Sequence, residues 1–258
     1  MTASASGDHE SLEKGAQSMR VTLVFILAGF VTIWLLCVGL ICHMRANRAG
    51  ALKGDAAAAR KVILPAFEPV LHVLSVVNCI YIVFLLVALA TDFFDAFVSP
   101  LVLEAFYSGN QFMFVIVLVL MFQKSLSFPA VKRSVAISLV LSYYTLLYVW
   151  VVTAYGRPNQ QKEFTISLQF VRSLLMLPFV YAFVKPPSRA TKRIIRELCF
   201  VTIVYFLLTV LLMIFIMNPK TVAASHYVVY VMLTWVAFCP LVVWRVLKAD
   251  TEYWRGSV

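Results

Sequence analysis

Apolar positions along the chain gather into seven runs of 20 to 29 residues, separated by short polar breaks: Val21 to Cys42, Val62 to Ala90, Val98 to Phe122, Ser134 to Tyr155, Phe164 to Val184, Leu198 to Met217, and Val222 to Val246. A helix crossing hydrocarbon needs about 20 such residues. None of the runs alternates with the period of two that a membrane barrel requires, and a backbone in lipid must satisfy its own hydrogen bonds. The pattern therefore predicts an all-α fold, a polytopic bundle of seven transmembrane helices. Residues 1–20 read as a disordered N-terminal tail, 21–247 as the bundle, and 248–258 as a short cytoplasmic tail.

Composition removes the soluble alternatives. The chain is 62% hydrophobic and 13% charged, with a mean hydropathy of +0.89, whereas soluble domains carry about 25% charged residues. Seven spans in 258 residues leave no room for a soluble catalytic domain. The net charge of +10 acquires meaning through its distribution. Odd-numbered connections and the C-terminus hold sixteen of the 22 basic residues: Arg45, Arg48, Lys53, Arg60 and Lys61; Lys124, Lys132 and Arg133; Lys185, Arg189, Lys192, Arg193 and Arg196; Arg245, Lys248 and Arg255. The opposite side holds Lys14, Arg20, Arg157, Lys162 and Lys220, while Arg172 lies inside a span. The positive-inside rule then predicts an exoplasmic N-terminus and a cytoplasmic C-terminus. Membrane lipids, not nucleic acid, are the partners this charge serves. The first apolar run is too long for a signal-peptide core and reads as a signal anchor, giving a multi-pass protein of the plasma membrane or endomembranes. The five cysteines all lie in or beside apolar runs and form no extracellular disulfide pattern.

Ionisable groups at membrane depth cost about 2.5 to 3.5 kcal/mol each, so they need a partner or a wet cavity. Glu104 lies roughly 9 Å below the outer end of span three, and Arg172 slightly deeper below that of span five, at about 1.5 Å per residue. They are expected to meet at one depth. Glu104, Ser108 and Gln111 share a face of span three, and Thr165, Gln169 and Arg172 share a face of span five. Asn78, Tyr144, Tyr148, His226, Tyr227 and Tyr230 belong to the same half of the bundle. Two readings stay open: a structural ion pair with bridging tyrosines, or a small-ligand pocket lined by Glu104, Ser108, Gln111, Gln169, Arg172, Tyr227 and Tyr230. Glu68 and His72, at i and i+4 beside Pro65 and Pro69, lack the further ligands a metal site needs, so no metal or cofactor is expected. At the inner face, Arg189, Lys192, Arg193 and Arg196 are either positive-inside anchors or a docking surface for an acidic partner or anionic lipid. Cys42, close to Arg45, is a palmitoylation candidate.

Seven spans, an outside N-terminus and short loops resemble the G-protein-coupled-receptor architecture, which SWEET-type transporters and microbial rhodopsins share. Arg193, Arg196 and Glu197 before Val201 and Thr202 resemble the tobamovirus-multiplication-protein group of receptor-like proteins. The segment from Lys248 to Gly256, K-A-D-T-E-Y-W-R-G, is similar to the juxtamembrane stretch of seven-helix receptor-kinase fusions in some protists. This resemblance covers roughly the last third of the chain, and it implies sensing at the outer face and signalling at the inner one. The sequence ends at Val258 without a kinase, so a separate effector or a fused segment outside this sequence is expected. Gln123 and Lys124 stand where receptors have D-R-Y, and Phe238, Cys239 and Pro240 replace the start of N-P-x-x-Y, which removes two G-protein-coupling signatures. Span seven has no lysine for a retinal Schiff base.

The expected function is a receptor-like membrane sensor coupling an outer small ligand to a cytoplasmic signalling protein. The alternatives are a small-solute transporter, against which stand the missing internal repeat and P-Q dipeptide, and a scaffold recruiting partners through basic loops. An intramembrane enzyme is not expected, because too few His and Asp residues lie inside the spans to hold zinc and no aspartates pair.

Overall fold

The structure is a computed structural model that describes residues 3–56, 58, 68–91, 99–123, 127–155, 161–187 and 192–256. Its elements are α1 (Ala3–Leu52), α2 (Glu68–Ala90), α3 (Pro100–Phe122), α4 (Phe128–Tyr155), α5 (Gln161–Leu174), α6 (Met176–Val184), α7 (Lys192–Met217), a 3₁₀ turn (Val222–Ala224), α8 (Ser225–Ala237) and α9 (Cys239–Gly256). Seven stretches are long and apolar enough to cross a membrane: Arg20–Leu52, Glu68–Ala90, Pro100–Phe122, Phe128–Tyr155, Lys162–Val184, Lys192–Met217 and Ser225–Glu252. All secondary structure among the described residues is helical.

The helices overrun the apolar runs mostly at the C-terminal face of the bundle, because polar ends complete their last turns outside hydrocarbon. Span one continues past Cys42 to Leu52 and stops at Gly54, whose φ of 89° only glycine adopts cheaply. Asp55 then accepts the Ala58 N–H at 3.2 Å. Span six starts at Lys192, which places Lys192, Arg193 and Arg196 on its first two helical turns and not in a loop. Helix α1 is already helical at Ala3, across the polar stretch read as a tail. The expected starts of spans two and three, Val62 and Val98, lie outside the described residues.

Proline splits two spans that the hydropathy pattern shows as single. Pro178 has no N–H for the Leu174 carbonyl, and its ring crowds that carbonyl, so span five breaks at Leu175 between α5 and α6. Pro240 does the same to Val236, and span seven breaks at Phe238 between α8 and α9. At the first break the Leu175 N–H turns to the Arg172 carbonyl at 3.1 Å, and the Tyr144 hydroxyl of span four donates to the carbonyl of Val171. Tyr144→Phe is expected to strand that carbonyl and lower stability by about 1 kcal/mol. In a Pro178→Ala background, where the span can straighten and the Leu175 N–H return from the Arg172 carbonyl to that of Val171, the cost should shrink; thermal midpoints of the four proteins in detergent measure the coupling, and additive effects would refute it.

Span three is the central helix. Within its most apolar stretch 78% of residues are buried, against 22–39% in the other six spans. It packs most closely on span four, whose stripe Ala130, Ser134, Ser138, Ser142 is buried and small, letting the backbones approach. On its other side Gly109 admits the Tyr81 ring of span two, whose hydroxyl donates to the Ala105 carbonyl at 2.6 Å and lies 2.7 Å from the Tyr143 hydroxyl. Spans one and seven run side by side, with Phe25 and Tyr230 rings 4.5 Å apart.

Candidate ligand site

Span three and span five bring the side chains of Glu104 and Arg172 into contact. The Arg172 Nε donates to Glu104 Oε1 at 3.2 Å and its Nη2 pairs with Oε2, so both carboxylate oxygens are engaged by one guanidinium. The Glu104 side chain is 0% exposed and that of Arg172 is 13% exposed. The guanidinium carbon lies 4.5 Å from the centre of the Tyr107 ring, a cation–π contact. The meeting of acid and base expected from their depth is thus a direct, bidentate contact.

A half-open cavity of about 330 Å³ lies beside this pair, between spans three, five and six. Pro100, Phe164 and Ile216 line its end nearest the starts of spans three and five and the end of span six. Tyr107, Gln169, Arg172 and Thr209 are polar members of its wall; Leu103, Leu168, Leu212 and Met213 are apolar ones. Glu104 sits behind Arg172, outside the wall. Gln169 Nε2 donates to Thr209 Oγ1 at 3.3 Å, and that hydroxyl donates to the Phe206 carbonyl at 2.7 Å. The Gln169 Oε1 is buried and has no partner among the described residues.

Other residues of the expected pocket go elsewhere. Ser108 lies 3.4 Å from Thr145 of span four and Gln111 is 1% exposed, and neither borders the cavity. Both amide atoms of Gln111, and the hydroxyls of Ser138 and Ser142 on span four, are buried without partners among the described residues. Tyr227 is 64% exposed on the bundle surface, and Tyr230 packs between spans one and seven with its hydroxyl 3.5 Å from Thr22. Neither tyrosine borders the cavity. The physical reason is helix rotation: four-residue spacing defines a face but not its neighbour. Tyr148 meets Ser167 at 2.5 Å and, with Tyr144, ties span four to span five. Asn78 donates to the Leu74 carbonyl at 2.7 Å within span two. Tyr107 and Thr209 were not expected in the site. Tyr107 follows Glu104 by three residues, and Thr209 interrupts the apolar run of span six, so both carried a usable signal. A second space of about 180 Å³, between spans one, three and seven, shares Leu103 and Tyr107 with the first and is almost wholly apolar apart from Thr22 and Asn110.

At the opposite face Glu197 receives Arg245 at 3.0 Å and Arg193 at 3.6 Å, linking the foot of span six to the end of span seven. Arg196 Nε donates to the Phe183 carbonyl at 3.3 Å, closing the end of span five. Lys192 is exposed, and Arg189 lies outside the described residues. Arg45 donates to Glu68 at 2.7 Å, with His72 Nε2 3.2 Å from the same guanidinium, so Glu68 and His72 clasp span one to span two. No protein family, curated protein or solved structure matches the chain.

Proposed function

We propose that this seven-helix membrane protein is a receptor-like sensor, with the N-terminal face exoplasmic, in which a small ligand in the 330 Å³ cavity biases the feet of spans six and seven toward a cytoplasmic partner. One observation carries the reading: a half-open cavity whose wall holds a guanidinium already fixed by a buried carboxylate, three residues before the Leu175 break in span five. Cavity contacts on spans three, five and six give a ligand a differential grip on their relative placement, which is what a population shift requires. Span six carries that shift to Glu197 and the Lys192, Arg193 and Arg196 surface, where the Arg245 contact is a weak latch.

The test is a distance measurement. Spin labels at Lys192→Cys and Lys248→Cys, with Cys42 and Cys79 replaced by serine, report the separation of the two feet in nanodiscs. A probe that binds the cavity should change the separation, and Met213→Trp, which fills the cavity, should abolish the change. Cavity-dependent flux into proteoliposomes without any change in separation would assign the cavity to transport instead. Glu197→Gln is expected to broaden the distance distribution without a probe; because the pair is partly exposed, the latch is worth no more than about 1 kcal/mol.

A further inference from the structure

We infer that the cavity takes an uncharged amphiphile, a molecule with a primary amide or hydroxyl head on a short apolar body. This rests on the reading of the cavity as a ligand site and specifies its occupant. Arg172 and Glu104 contribute one charge of each sign, and both carboxylate oxygens are engaged by the guanidinium. The buried pair is therefore already neutral. An anion entering beside Arg172 would face the fully buried Glu104 carboxylate a guanidinium's width away, and a cation would face the guanidinium itself; either charge is left without a counter-charge of its own. A neutral head meets neither penalty.

The wall specifies what that head must carry. Arg172 and Gln169 lie three residues apart on one face of α5. The guanidinium has further N–H groups and offers donors only. Gln169 Oε1 is an acceptor on a side chain 5% exposed, and the amide's other end is committed to Thr209. Gln169 Oε1 is sealed from solvent at rest; a group holding both a donor and an acceptor, such as a primary amide, matches it and the guanidinium together once the Gln169 amide turns into the cavity, and leaving Oε1 unmatched in hydrocarbon is costly. Leu103, Leu168, Leu212 and Met213 supply alkyl surface for the body. At about 30 Å³ per water the volume equals roughly eleven waters, which limits the ligand to a small molecule.

The probes are hexanamide, hexanoate and hexylammonium, titrated onto the full chain in nanodiscs with saturation-transfer NMR as the readout and Met213→Trp as the cavity-blocked control. Hexanamide is expected to bind the native protein about tenfold more tightly than either ion, a difference of about 1.4 kcal/mol. Glu104→Gln keeps an acceptor for Arg172 but removes the balancing charge, so hexanoate should then gain at least about tenfold on hexanamide. Tightest binding of an ion to the native protein would overturn the neutral assignment and leave the site standing. No cavity-dependent binding of any probe would overturn the site and the assignment together. If Glu104→Gln is not recovered folded, the ranking on the native protein decides.

Discussion

Arg172→Leu is expected to cost the folded bundle about 3 to 5 kcal/mol, because it leaves the Glu104 carboxylate buried with no counter-charge. Glu104→Gln should cost clearly less. The asymmetry follows from exposure: Glu104 is sealed, whereas Arg172 borders a half-open cavity and retains the Tyr107 ring at 4.5 Å. The double variant Glu104→Leu, Arg172→Leu should recover most of the loss, since an apolar pair of similar bulk leaves no charge stranded. Monodisperse yield and thermal midpoint in detergent, measured for all four proteins, test the ordering. Equal losses for the two single variants would show that the pair does not carry the stability assigned to it.

Gly109→Val is expected to be the other severe change. A Cβ at position 109 would clash with the Cε2, Cζ and hydroxyl edge of the Tyr81 ring, and that ring cannot retreat freely, since its hydroxyl is held by the Ala105 carbonyl and Tyr143 while Phe30 and Phe106 pack against it. Overpacking of this kind costs about 1 to 3 kcal/mol, and detaching Tyr81 strands polar groups as well. Combining Gly109→Val with Tyr81→Leu should relieve the clash and recover part of the thermal midpoint. A single variant as stable as the native chain would mean that spans two and three are further apart at this level.

The two prolines show how legibility stops at the boundary between local and tertiary effects. Pro178 and Pro240 are visible in the sequence, and the carbonyls they free are predictable. That Tyr144 bonds the Val171 carbonyl at the first break depends on how span four is turned. The same holds for the site. Glu104 and Arg172 were readable as partners because burying either charge alone is prohibitive, so depth sufficed to pair them. Ser108, Gln111, Tyr227 and Tyr230 were not placeable, because uncharged polar groups find partners within their own helix or a neighbour at modest cost and several rotations serve equally well.

From sequence alone came the seven spans, their all-helical class and the acid–base pair, since each follows from hydrocarbon rejecting bare peptide groups and lone charges whatever the packing. Tertiary structure alone decided that the cavity lies between spans three, five and six, that Tyr107 and Thr209 line it, and that Glu197 bridges spans six and seven. The rotation of a helix about its axis is settled by side-chain packing against several neighbours at once, and no single span encodes those neighbours.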